Sequence, residues 1–195
     1  MTTHAQKGLK LSDILVTVLV AVVFAIIYNF WTFIYNAFKI TGLHIEELTY
    51  GMWFMAAVVA YLLIPKMGIA LIAELAAGAG ETIVMGRFDI PTIAYALLQG
   101  LACEIVFAIF KYRSRHAMVA MLAGFMAAVV TFPLDFAYGY LGAVAGWNLA
   151  LYIGFRLISG IILAGIVPFY IVRALDQTGV TRLFRTTTKE DYDDL

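Results

Sequence analysis

The chain has 195 residues, 63% of them hydrophobic and only 13% charged, with a mean hydropathy of +0.91. A soluble domain averages about a quarter charged residues, so this composition belongs to an integral membrane protein. The net charge of zero gives no support to a nucleic-acid partner, and the lone Cys103 excludes an internal disulfide or a multi-cysteine metal site.

The first apolar run follows Lys7 and Lys10 and continues from Ile14 to about Ile34. That is longer than the roughly 7–15-residue core of a signal peptide, so it reads as a retained span. Stretches of about 17–25 apolar residues cross a bilayer. Six are predicted, over residues 13–35, 49–64, 68–86, 91–110, 117–138 and 148–173. Residues 1–175 then form one all-α membrane domain of six transmembrane helices, and residues 176–195 form a polar tail. Pro65 cannot continue a helix, so the short second span ends there and turns tightly through Lys66, Met67 and Gly68 into the third.

Basic residues orient such a chain. With the N-terminus in the cytoplasm, ten fall inside (Lys7, Lys10, Lys66, Lys111, Arg113, Arg115, Arg173, Arg182, Arg185, Lys189) and only Lys39 and Arg87 outside. Both termini are therefore expected in the cytoplasm. The outer loops are then 36–48, 87–90 and 139–147, rich in aromatic and short polar residues as a lid would be.

The third span carries Glu74 and Glu81 in a row of Ala and Gly. Seven residues apart on a helix, they return to nearly the same face. An ionised carboxylate in hydrocarbon costs roughly 2.5–3.5 kcal/mol, so such a pair is expected to face a protein interior. A helix-to-helix hydrogen bond is the alternative role for each. On the fourth span, Gln99 and Glu104 are five residues apart and point to different faces, and Glu104 could be neutralised by Arg156 or Lys111.

In the fifth span Thr131, Asp135 and Tyr138 share a face, beside a kink expected at Pro133. In the sixth, Asn148, Tyr152, Arg156 and Ser159 form a second stripe. Arg156 is the only deep basic residue, expected to pair with Asp135 or Glu104, with contact to a bound ligand as the alternative. It faces Glu74, Glu81, Glu104 and Asp135, so the interior is acidic unless some of these are protonated. Around them stand Tyr28, Trp31, Tyr35, Tyr50, Trp53, Tyr95, Tyr138, Trp147 and Tyr152, many of which are also where interfacial belt residues would be. Acids with aromatic faces suit a flat cationic heterocycle.

No HExxH, GxSxG, paired histidines or GxxxxGK[ST] loop is present, which argues against an enzyme and against ATP hydrolysis by this chain. Active transport would need an ion gradient or partner subunits. Ala21-Val-Val-Phe-Ala25 is a small-xxx-small pair of the kind that lets membrane helices touch.

Six spans, the inside N-terminus, the Ala21/Ala25 pair and the missing nucleotide loop together resemble the S-components of energy-coupling factor vitamin transporters. Over nearly the whole chain the likeness is greatest to the YkoE-type subfamily, associated with thiamin and its hydroxymethylpyrimidine precursor. The resemblance implies a multi-pass protein of the bacterial cytoplasmic membrane with an outward vitamin pocket capped by the first loop. It also implies a transmembrane coupling subunit, met through Ala21 and Ala25, and two cytoplasmic ATPases, with no cofactor beyond the carried vitamin. Trp147, Asn148 and Tyr152 correspond only loosely, at different spacing, to the Trp/Tyr/Asn signature of thiamin S-components.

On this reading Glu81 accepts from the aminopyrimidine, with Gln99 and Asn148 completing the polar recognition. Trp53, Trp147 and Tyr152, with Tyr50 nearby, contain the rings, and Asp135 or Glu104 offsets the positive charge. Loop 36–48, with Glu46 and Glu47, closes over them. The competing expectation is a solitary carrier of a cationic compound that uses Glu74 and Glu81 as proton sites.

Overall fold

The computed structural model describes residues 8–40, 42–142, 144, 146–179 and 181. Lys7, Arg182, Arg185, Lys189 and the acidic end of the tail lie outside the described residues.

Helix α1 covers Leu11–Lys39. Its first turn is closed by Asp13, which accepts from the Lys10 amide at 2.7 Å and pairs with Lys66 Nζ at 2.5 Å. That ion pair ties the start of α1 to the turn between the next two helices. A 3-10 helix, Ile45–Phe54, runs directly into α2, Met55–Leu63, so the two make one rod. The predicted second span is short because its beginning is this tighter 3-10 stretch, and Glu46 and Glu47 belong to the rod rather than to a loop. Met55 to Leu62 is apolar on every face, and all eight residues are buried, as a helix without a polar side must be.

Gly68 turns the chain with φ of 86°, a left-handed conformation that suits glycine, and α3 follows over Ile69–Val84. Helix α4, Ile90–Ile109, is capped by Asp89, which accepts from the Thr92 amide at 3.0 Å and hydroxyl at 2.6 Å. The Thr92 hydroxyl, ahead of its amide, holds the Asp89 carboxyl below the usual range; this contribution is present above the ordinary carboxylate pKa and lost as pH falls through the depressed one. Helix α5, Ala117–Val129, breaks at Val130 and Thr131 before α6, Phe132–Ala137, with Pro133 in the first turn of α6. Helix α7, Trp147–Ser159, continues through a π-helical stretch, Gly160–Ile166, into α8, Val167–Thr178.

The described residues thus form six helical rods and no strand. Four are long and apolar enough to cross a membrane, at Leu11–Lys39, Ile90–Ile109, Ala117–Ala137 and Trp147–Thr178. The two shorter ones, the 3-10/α2 rod and α3, pack between them.

Small residues set the helix spacing. A Cβ on Gly80 would sit 2.6 Å from Ala25 Cβ, and one on Gly78 would sit 2.5 Å from Ala96 Cβ. Ala21 and Ala25 are consequently buried, Ala25 against α3, while Leu15, Leu19, Val22 and Val23 form the exposed face of α1. Ala21 and Ala25 thus face inward in this chain, where they let its own helices approach each other.

Candidate functional site

A cavity of about 430 Å³ opens at the end of the bundle where α1 and α3 finish and where the 3-10 helix, α4 and α7 begin. Acids dominate its charge. Glu46, Glu47, Glu74, Glu81 and Asp135 are in its wall, against Arg156 and Lys39, with His44 at the rim.

One side is organised by Arg156, reaching inward from α7. Its Nε donates to Glu47 Oε2 at 2.6 Å and its Nη1 to Thr131 Oγ1 at 3.0 Å. It also donates to Asp135 from Nη1 and to the Tyr152 hydroxyl from Nη2. The guanidinium lies 3.7 Å from the Tyr50 ring centre, a cation–π contact. Tyr35 donates to the other Glu47 oxygen at 2.7 Å, and Tyr95 and Tyr152 donate to Asp135 at 2.6 and 3.0 Å. A buried ion pair survives only when its remaining lone pairs and protons are also satisfied, and here both carboxylates accept at each oxygen and four of the five guanidinium protons are donated. The Thr131 hydroxyl is brought to Arg156 by the α5–α6 break, and the 3-10 helix is pinned close by Gly51, whose amide donates to Ser159 Oγ at 2.8 Å.

The other side belongs to α3 and α4. Glu81 accepts from Trp53 Nε1 at 3.0 Å, and the Trp53 ring meets Tyr35 edge-on at 5.2 Å between centres. Deeper in, Glu74 accepts from the Tyr28 hydroxyl at 3.1 and 3.2 Å and from the Ala57 amide at 3.0 Å. Gln99 is buried in the same wall, with Nε2 unpartnered. Fixed donors and acceptors set among Tyr and Trp rings can hold a flat molecule that carries both positive charge and hydrogen-bonding edges.

Of the residues expected from sequence, Glu74, Glu81, Gln99, Trp53, Tyr50, Tyr152, Asp135 and Arg156 line this cavity. Three do not. Trp147 is 75% exposed and Asn148 is also exposed, because α7 begins at Trp147 and its first turn projects away from the bundle. Glu104 is remote: it accepts from the amides of Gly68, Ala70 and Leu71 at 2.5, 3.1 and 3.3 Å, so it caps the start of α3 instead of pairing with Arg156 or Lys111. A carboxylate at a helix N-terminus satisfies otherwise orphaned N–H groups. Glu104→Ala is expected to lower stability by about 1–2 kcal/mol, as loss of a cap does, with ligand affinity unchanged. Thermal unfolding and ligand titration on one preparation check this, and a change in affinity would return Glu104 to the site.

Sequence reasoning placed Glu47 on a lid and gave it no partner, yet it is a principal ligand of Arg156. The shortness of the second span was the available signal, since it implied that the rod begins before Thr49.

A family profile described as the permease component of an ABC-type cobalt transport system matches residues 12–130. A protein of Bacillus subtilis (strain 168), named as a candidate HMP/thiamine permease protein, YkoE, is 32% identical over 177 residues, covering 90% of this chain and 88% of that protein. A crystal structure of an S-component of an ECF transporter superposes with a TM-score of 0.82 at 32% identity, covering 89% of each chain. The chain therefore belongs to the S-component family of energy-coupling factor (ECF) transporters, multi-pass transport proteins of the bacterial cytoplasmic membrane and not enzymes.

Proposed function

We propose that the chain is the substrate-binding subunit of an ATP-driven energy-coupling factor importer for thiamin or its hydroxymethylpyrimidine precursor. The observation that carries this reading is a cavity whose wall sets five carboxylates against Arg156 and Lys39 and is otherwise rich in Tyr, with Trp53 alongside. Thiamin joins an aminopyrimidine to a cationic thiazolium, and both rings are flat. Glu81 accepts from the amino group, Gln99 donates to a ring nitrogen, Trp53, Tyr50 and Tyr152 contain the rings, and Asp135 offsets the positive charge. Among the described residues no group of three or more His, Cys, Asp or Glu could hold a metal ion, which favours an organic cargo over the metal named in the family profile.

The bias of Lys and Arg supports cytoplasmic termini, and the cavity then opens outward beneath the segment that joins α1 to the 3-10 helix. With no GxxxxGK[ST] loop, the chain depends on cytoplasmic ATPases through a transmembrane coupling subunit. Lipid surrounds the exposed apolar faces.

Titrating thiamin while following tryptophan fluorescence tests the reading, because Trp53 stands in the wall. Saturable binding is expected for the wild type, and Glu81→Gln is expected to weaken it about 10- to 100-fold, the worth of a charged hydrogen bond. Equal affinity in both would remove Glu81 from recognition. Uptake into proteoliposomes by the chain alone, without ATP, would favour the solitary carrier instead.

A further inference from the structure

Among the described residues, two buried side-chain polar atoms have no hydrogen-bond partner: Glu46 Oε2 and Gln99 Nε2. Glu46 is 4% exposed and Gln99 2%, and both are in the wall of the same cavity. A buried polar atom left unmade carries the full cost of its desolvation, so each such atom calls for an explanation. Their shared position offers one: the molecule that fills the cavity completes them.

The two neighbouring glutamates of the 3-10 helix differ in this respect. Both oxygens of Glu47 are taken, by Tyr35 and Arg156. Glu46 has only His44 Nδ1, at 3.4 Å from Oε1, and its second oxygen is open. Arg156 is largely committed to the chain: Nε, both Nη1 protons and one Nη2 proton are engaged with its own acceptors, it is 1% exposed and its face is covered by Tyr50, which leaves a single Nη2 proton for any ligand. The other basic side chains of the wall are Lys39, which is exposed, and His44. A ligand group arriving at Glu46 therefore meets a carboxylate acceptor, with the deep cation of the wall largely committed elsewhere.

We propose that Glu46 is a specificity-determining residue, whose open oxygen accepts from the hydroxyl group of the bound molecule and whose charge turns away the phosphate ester of that molecule. This rests on the functional reading above. Thiamin and its pyrimidine precursor each carry a primary alcohol, the group that phosphorylation would convert into an anion. Free alcohols would be admitted, and phosphorylation would have to follow import. A buried site that hydrogen-bonds a hydroxyl rejects an analogue lacking it far more strongly than an apolar pocket rejects a change of size.

The test uses the purified full chain and three probes: thiamin, its methyl ether at the hydroxyethyl oxygen, and thiamin monophosphate. The wild type is expected to bind thiamin about 100-fold more tightly than the monophosphate and about tenfold more tightly than the ether. Glu46→Gln is expected to narrow the thiamin-to-monophosphate ratio at least tenfold. Wild-type binding of monophosphate as tight as that of thiamin, through Lys39 or His44, would overturn the proposal, as would an unchanged ratio in Glu46→Gln. Should Glu46→Gln fail to fold, the ether decides on wild-type protein alone, because equal affinity for ether and alcohol leaves Glu46 without a donor to accept from. Absence of thiamin binding to the wild type would overturn the functional reading itself, a result distinct from binding without discrimination.

Discussion

Arg156→Met is expected to lower stability by about 3–5 kcal/mol, the cost of stranding buried charges when one partner of an ion pair is removed. Two acids are stranded at once, because Glu47 and Asp135 both take donors from this side chain. Three segments also lose their common anchor: the 3-10 helix through Glu47, α6 and the break before it through Asp135 and Thr131, and α7 itself. Thermal unfolding in detergent, followed by fluorescence, reads the loss. Adding Glu47→Gln and Asp135→Asn to Arg156→Met should recover most of it, since buried charge networks replaced as a whole are often close to neutral. Wild-type stability in the single variant would mean that this network does not hold the segments together.

Gly124→Val is expected to cost about 3 kcal/mol, at the upper end of overpacking effects. A Cβ on Gly124 would collide with the Gly160 carbonyl oxygen and lie 3.1 Å from the Gly165 amide nitrogen, and one on Gly160 would lie 2.6 Å from the Gly124 oxygen. These obstacles are backbone, which cannot rotate away as a side chain could, so α5 would have to separate from the π-helical stretch. Gly154→Ala on α7 is the control, because nothing lies within 4 Å of its Cβ position. Its stability should stay within about 1 kcal/mol of wild type, with any change favouring the better helix former. Equal behaviour of the two variants in thermal unfolding would contradict close packing at Gly124.

Much of the site was legible in the sequence where periodicity carried it. Glu74 and Glu81 share a face because seven residues are nearly two helical turns, and that face lines the cavity. The same arithmetic set Gln99 and Glu104 apart, one in the cavity wall and the other on the α3 cap. Where helix boundaries mattered, periodicity could not help. Asn148 lies on the stripe of Tyr152 and Arg156, but α7 begins one residue earlier, and its first two residues are exposed. Glu47 looked like a loop residue because a 3-10 extension has no signature distinct from a polar, aromatic loop. Ala25 shows a further ambiguity: small residues allow close approach without saying which helix approaches, and here α3 of the same chain does.

The claim that unites these observations is that buried acids are tolerated in this bundle because they wall a chamber for a flat, positively charged vitamin. Mass spectrometry of small molecules released from the purified wild-type chain tests it most directly. Thiamin or its pyrimidine precursor should be released by the wild type in near-stoichiometric amount and be depleted from Glu81→Gln. Release of an anionic or purely apolar compound, equally from both proteins, would contradict it.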